Sequence, residues 1–542
     1  VPAVLARAVL PIVLALHPPT LRAVVRLALP VVAANLLQTL VNVVDVFMAG
    51  RLGPLEVAAV GLANSVRLLI LVVTMAVTAG AMALAAQARG ARDEEALEDV
   101  TRQTLLLSIV LSLGLTLVGL LVSRPLLAFL NGGGDPLVVD AGSGYLTILF
   151  LGTVLLVGQL ALTSLMQGAG DTVTPLVLAV VTNLANVLFN WWFMFGPGPF
   201  PALGVPGAAV GTVAARALGL VLILAVIVAG RNVVRWPRGR WRVDVGRVRD
   251  LLAIGLPSGF QSLAYTSAGL LVVRAVTATP SGSYGAAALA IGFQVEGFAF
   301  MPGVALSVAA TSLVGRALGA WQVEAAWRAG HAAVALAMVL MGAVGSALVL
   351  FAEPLVRLFD PSAHPIVVAD GAAYLRVNGA VQPILAVFMV LNGALRGAGD
   401  ARPGLIGTIV GRWGVVVPLA WLLGVGLGFG TSGIWWAFFA GVTVQAVWVS
   451  VRWWRGGWWD VALERSRVWR LHLADLSAAD RDAFLAQVRA PAMAVEGTRE
   501  LIDADGVRYV RGGTEVARWT PPARDLAAAP GARAGRSSAT PS

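Results

Sequence analysis

Apolar runs long enough to cross a bilayer recur twelve times in this chain. They fall at about residues 25–49, 56–84, 102–122, 141–166, 172–196, 206–230, 249–275, 284–310, 328–351, 370–394, 402–425 and 432–452. A crossing needs about 20 apolar residues. In hydrocarbon, backbone amides are satisfied only inside helices or closed barrels. Runs of this length therefore predict an all-α polytopic membrane protein. The punctuation between them is turn chemistry, as in Arg51-Leu-Gly-Pro54, Gly196-Pro-Gly-Pro199 and Asp360-Pro361. Residues 1–20 carry Arg7 inside a short apolar stretch and lack a clear cleavage site, which reads as a cytoplasmic or interfacial extension.

The same demand explains the composition. Only 13% of the 542 residues are charged, against about 25% in soluble proteins. Cysteine is absent, which removes disulfides, thiolate metal sites and Cys nucleophiles. His17, His331, His364 and His472 lie far apart, so no metal site or cofactor is expected. No His–carboxylate cluster or activated nucleophile points to an enzyme.

The net charge is +10, and every basic residue is Arg. With the N-terminus inside, the inner segments hold Arg22, Arg26, Arg89, Arg92, Arg102, the run from Arg231 to Arg249, Arg316, Arg328, Arg396, Arg402, Arg452 and Arg455. The outer loops hold little beyond Arg51, Arg124 and Arg357. This asymmetry places both termini in the cytoplasm of a cell whose inner membrane the chain spans. It reads as orientation signal and headgroup contact, with no nucleic-acid partner.

Two passages repeat. Gly-Ala-Gly-Asp occurs at 168–171 and again at 397–400, an offset of 229. The same offset places Gly90 on Gly319, and a slightly shorter one places Leu29-Pro30 on Leu256-Pro257. The chain therefore reads as two six-helix halves of like orientation, a transporter plan with its substrate path between them. The expected divisions are an extension at 1–24, an N-lobe at 25–235, an Arg-rich cytoplasmic linker at 236–248, a C-lobe at 249–455, a small soluble cytoplasmic tail at 456–520, and a disordered end at 521–542. Within the tail, Ser477–Asp480 looks like a capping box opening a helix to about 487, and Asp505-Gly506 suggests a hairpin. The Gly-Ala-Gly-Asp copies read as tight turns whose Asp caps the next helix.

Ionisable groups inside a membrane are costly and mostly face a cavity or a partner. The first span carries Asn35, Gln38, Asn42 and Asp45 at spacings that share one helical face. The fifth carries Asn183, Asn186 and Asn190, also on one face, and Thr212 lies near the outer end of the sixth. Asp45, Asn190 and Thr212 fall at similar depth, so a carboxylate in a cage of amides and hydroxyls is expected. Such a group can trade a proton, or accept Na+. The plainer alternative is helix–helix glue. Glu296 sits near mid-membrane in the eighth span, with Arg67 at the repeat-related position. Glu296 reads as a substrate site or second proton site, or else as a structural pair, and Gln38, Asn42 and Asn183 are candidates for the same role. Arg412 is assigned no role.

The passages LALP…VNVVDVFMAGRLG, QGAGDTVTP, RGAGD, NLANVLFN, GVPGAAVGTVAAR and FAFMPGVALSVAATSLVGRALGA resemble the multidrug and toxic compound extrusion (MATE) family, especially its DinF-like and archaeal-type branch. The resemblance covers about residues 22–452. It implies two pseudo-symmetric bundles in a V shape, acting as a monomer. They would exchange organic cations or amphipathic compounds for H+, with Na+ the alternative ion. It assigns coupling to Asp45, Asn186, Asn190 and Thr212, with any Na+ held by Asp45, Asn186 and Asn190. It also places a helix bend at Pro30, where chemistry alone expects a kink. This chain departs from the family by having Asn190 where the archaeal type has a second Asp. Tyr265 or Thr266, and Leu385, replace the acids of the sodium-coupled branch, which favours protons. A lipid-linked oligosaccharide or lipid flippase of the same superfamily is the alternative function.

Overall fold

The computed structural model describes residues 18–53, 61, 63, 68–131, 136–196, 201–360, 364–459, 461, 498–503, 506–511 and 514–519. Arg67, the start of the second expected span, the helix expected from Ser477 and the end at 521–542 lie outside these residues. The chain forms two compact units, Val1–Leu471 and His472–Ser542.

The first unit is helical throughout. Its elements are α1 (Pro18–Gly50), α2 (Leu68–Gly90), α3 (Glu94–Asn131), α4 (Pro136–Leu151), α5 (Thr153–Ala169), α6 (Val173–Phe195) and α7 (Val205–Val228), then α8 (Val245–Thr277), α9 (Gly282–Gly319), α10 (Val323–Leu350), α11 (Ala352–Phe359), α12 (Pro365–Gly397), α13 (Arg402–Gly426) and α14 (Gly430–Trp454). Among the described residues, ten of these helices are long and apolar enough to cross a membrane, and α4 with α5, bent by 49°, make an eleventh. The remaining expected span is α8. It has 33 residues, ample length at about 1.5 Å each. Its Gln261, Ser262 and Thr266 make it too polar to pass on apolarity, and all three line a cavity. The outward side chains fit lipid. On α3, Val110, Leu113, Leu117 and Leu121 are exposed at helical spacing, a stripe that would be a liability in water.

The second unit contains an antiparallel sheet of β1 (Thr498–Asp503), β2 (Gly506–Arg511) and β3 (Thr514–Trp519), in that order. Asp503 pairs with Gly506, so strands flank the expected hairpin position.

Asp244 caps α8, its carboxylate accepting from Arg247 N at 3.1 Å. The linker before it is tied to the acidic start of α3. Gln103 of α3 donates to the Arg242 carbonyl at 2.8 Å and accepts from Asp244 N at 3.1 Å. Arg247 pairs with Asp99 at 3.1 Å.

The two halves meet at the end of the bundle that holds Gly90 and Gly319, and they meet reciprocally. A β-carbon on Gly90 would lie 2.0 Å from the Arg316 carbonyl oxygen, and one on Gly319 would lie 2.0 Å from that of Gln87. Gln87 and Arg316 are themselves 229 residues apart, so each half presents the same patch to the other. Only glycine allows backbones this close. Two hydrogen bonds keep the repeat at their acceptors, Gly168 and Gly397, though their donors come from positions one turn apart. Gln87 Nε2 donates to the Gly397 carbonyl at 2.9 Å, and Ser312 Oγ donates to the Gly168 carbonyl at 2.9 Å. The Gly-Ala-Gly-Asp turns thus supply acceptors for the seal between the halves.

Their aspartates differ. Asp171 caps as expected, accepting from Val173 N and Thr174 N at 3.1 and 3.0 Å. Asp400 instead binds Arg452 at 2.7 Å, since Pro403 offers no N–H at the position where Thr174 donates to Asp171.

A side chain at Gly319 should therefore force this end open. With spin labels at Arg92→Cys and Gln322→Cys, both exposed positions on opposite halves in a chain without native Cys, Gly319→Val should shift the interlabel distance distribution to longer values. An unchanged distribution would contradict the seal.

Candidate transport and coupling sites

Asp45, on α1, is half-buried and faces α6. Asn190 Nδ2 donates to its Oδ1 at 2.8 Å, and makes a longer contact with Asn186 Oδ1 at 3.4 Å. Asn186 Nδ2 in turn reaches Thr212 Oγ1 of α7 at 3.4 Å. The four side chains expected to meet therefore form one chain across three helices. Asn190 is only 1% exposed, and its Oδ1 is buried without a partner. Gly211 of α7 makes room for it, since a β-carbon there would lie 2.3 Å from that oxygen. The site thus combines one carboxylate with neutral oxygens. Among the described residues no group of three or more His, Cys, Asp or Glu is placed to hold a metal. One negative charge with oxygen donors suits a monovalent ion or a proton.

The other predicted N-lobe residues separate from this chain. Gln38 and Asn183 line the wall of a cavity of about 740 Å³, within the range of small-molecule sites. Asn42 is exposed on α1 and accepts from Gln38 Nε2 at 3.2 Å. Helix α1 runs unbroken through Pro30. The cavity takes walls from both halves. Thr78, Gln159 and Thr182 face Gln261, Ser307 and Asn392 across it, with Met75, Met82, Phe300 and Met389 supplying apolar surface. Its charged lining residues among those described are Arg216 of α7 and Arg396 of α12. Arg216 donates to Gln38 Oε1 at 3.3 Å, and Arg396 to Ser307 Oγ at 3.0 Å.

Glu296 lies elsewhere, in a smaller pocket inside the second half. Tyr374 of α12 donates its hydroxyl to Glu296, and accepts from Asn378 Nδ2 at 3.3 Å. Gln382 Nε2 donates to Asn378 Oδ1 at 2.6 Å. Trp435 packs edge-on against Tyr374 with centroids 5.0 Å apart. Arg412 shares this pocket. Its guanidinium stands 4.2 Å from the Tyr265 ring centroid and 5.4 Å from that of Phe438. It sits in a π-helical stretch of α13, Ile409–Val416, a winding that is rare and concentrated at functional positions.

A cavity between two related helical halves, with a part-buried acid set among amides or hydroxyls in each, defines a small-molecule membrane transporter. The MatE family model matches residues 30–192 and again 257–422, once in each half. The chain belongs to the MatE family, whose members are secondary transporters and not enzymes. A probable multidrug resistance protein NorM of Mesorhizobium japonicum is 31% identical over 445 residues, covering 80% of this chain and 94% of that protein. Its counterpart in Thermotoga maritima is 28% identical over 446 residues, covering 82% and 94%. Among solved structures, a MATE protein in its bent conformation aligns with a TM-score of 0.75 at 25% identity, covering 84% of this chain and 99% of that one. A MOP superfamily transporter from Pyrococcus furiosus, described by a reversed polarity of its binding pocket, aligns with a TM-score of 0.75 at 25% identity, covering 81% and 97%.

Several site residues escaped the sequence reading. Tyr374, Asn378 and Gln382 recur every fourth residue, the spacing that singled out the first and fifth spans. Arg396 resembled a loop arginine, yet α12 continues to Gly397. Arg216 was legible only as the end of a motif.

Removing the Tyr374 hydroxyl leaves a carboxylate and an amide short of a partner. Tyr374→Phe should destabilise the detergent-solubilised protein by about 1–3 kcal/mol. Thermal unfolding of it, Glu296→Gln and the double variant should show strong non-additivity; additive losses would dissociate the two groups.

Proposed function

We propose that the chain is a secondary active multidrug efflux antiporter. It exports amphipathic small molecules, organic cations among those the family resemblance suggests, in exchange for H+, with Na+ the alternative ion. The observation that carries this reading is the chain from Asp45 through Asn190 and Asn186 to Thr212. A carboxylate held by an amide donor keeps its charge. Once protonated it no longer needs that donor, and the contact between α1 and α6 loosens. Proton uptake at Asp45 thereby becomes a change in how α1 packs. Because α1 also carries Asn35 and Gln38 on the cavity wall, that change reaches the substrate path, with Pro30 as the hinge.

The arginine pattern supports placing the sealed end, the linker and both termini in the cytoplasm, in an inner-membrane protein acting as a monomer. In this reading the protein rests closed to the cytoplasm, and Glu296 serves as a second proton or substrate site. The names of two relatives, probable multidrug resistance protein NorM, support drug export. The flippase alternative draws on a separate observation, the two arginines of the cavity, since lipid-linked glycans carry phosphates.

Reconstituted protein should move a fluorescent amphiphile under an imposed pH gradient. Asp45→Asn should abolish that gradient-driven movement while leaving membrane insertion intact. Undiminished proton-driven transport by this variant would refute the role of Asp45, and a requirement for a sodium gradient alone would exchange the ion.

A further inference from the structure

We propose that the cavity between the halves binds its substrate through an acidic head group, held by Arg216 and Arg396. The apolar part of the substrate lies against Met75, Met82, Phe300 and Met389. This specifies the substrate class of the exporter proposed above and rests on that reading for the direction of transport.

The cavity wall carries a guanidinium from each half, and among the described residues no Asp or Glu lines it. Arg396 is the more telling of the two. Its hydrogen bond goes to the neutral Ser307 hydroxyl, and its Nε is buried without a partner. Arg316, away from the cavity, likewise bonds only a neutral oxygen, the Ser312 carbonyl, whereas other part-buried arginines have a carboxylate: Arg102 and Arg247 share Asp99, and Arg452 has Asp400. A cation withdrawn from water without a counter-charge is costly. In a low-dielectric cavity it attracts an anion far more strongly than it would in water. A guanidinium also gives paired donors that match a carboxylate or phosphate. The methionines suit tails of varied shape.

The groups that would favour a cation are placed elsewhere or already engaged. Asp45 is bonded to Asn190 and does not line the cavity. In the second half, Glu296 shares its pocket with the protein's own Arg412, stacked on Tyr265 and Phe438. That aromatic box already holds a cation.

The test is equilibrium binding to the full-length protein in neutral detergent, using three probes that differ only at the head: dansylaminoundecanoic acid, its methyl ester, and the matching trimethylammonium compound. The acid should bind about tenfold or more tightly than the ester, with the ammonium probe weakest. Arg396→Gln and Arg216→Gln should each erase much of the acid's advantage while leaving ester binding, which reports an intact cavity. Arg396→Lys should restore part of it. Equal or better binding of the ester or ammonium probe overturns the proposal. So does an acid preference that survives both Gln variants, or loss of acid and ester binding together in all three variants. Displacement of the acid probe by dihexanoylphosphatidylglycerol would support a lipid head group as the ligand, and displacement by octanoate alone a soluble acid. Binding needs no ion gradient, so failure of proton-driven transport would leave this result standing, and the reverse.

Discussion

Hydrocarbon offers a polar side chain no solvent, so each one needs a partner from the protein or from a cavity. The hydrogen bond from Asn190 to Asp45 meets that requirement for the acid of the first half. It ties α1 to α6 through a carboxylate–amide contact, so the packing of α1 rests in part on a single charged group. Asn186, Thr212 and the space left by Gly211 follow from it, since each places or accommodates the Asn190 amide.

The halves solve the same problem with different chemistry. In the first, a carboxylate is surrounded by amides and a hydroxyl. In the second, Glu296 is held by a phenol at the head of a chain of amides, beside an arginine over aromatic rings. Sequence duplication kept the backbone relation, as the reciprocal Gly90 and Gly319 contacts record. It did not keep the polar groups. A repeat thus preserves the moving frame while its two interiors specialise.

Periodicity made much of the N-lobe site legible. Asp45 stands one face-repeat beyond Asn42, and Asn186 and Asn190 are one turn apart, so a polar face on each helix and a shared depth could be read directly. Spacing names a face but not the helix opposite it. The separation of Gln38 and Asn183 onto a cavity wall, away from Asp45, needed the packing of the two halves. So did the position of Arg396, whose flanking Gly-Ala-Gly-Asp marks a turn one residue later than its own helix suggests. The second half was obscured because a tyrosine and neutral amides there stand in for acids. The same turns were legible as local structure but not as acceptors for Gln87 and Ser312, which come from the opposite half.

Those two bonds also set a balance between closed and open states. Their acceptors lie in repeat-related turns of opposite halves, so the two bonds close the seal from both sides. Each is worth only about 1 kcal/mol net, so together they bias the equilibrium by roughly thirtyfold, at about tenfold per 1.4 kcal/mol. A bias of that size is firm enough to limit leakage, yet small enough for the binding of one molecule or one ion to reverse.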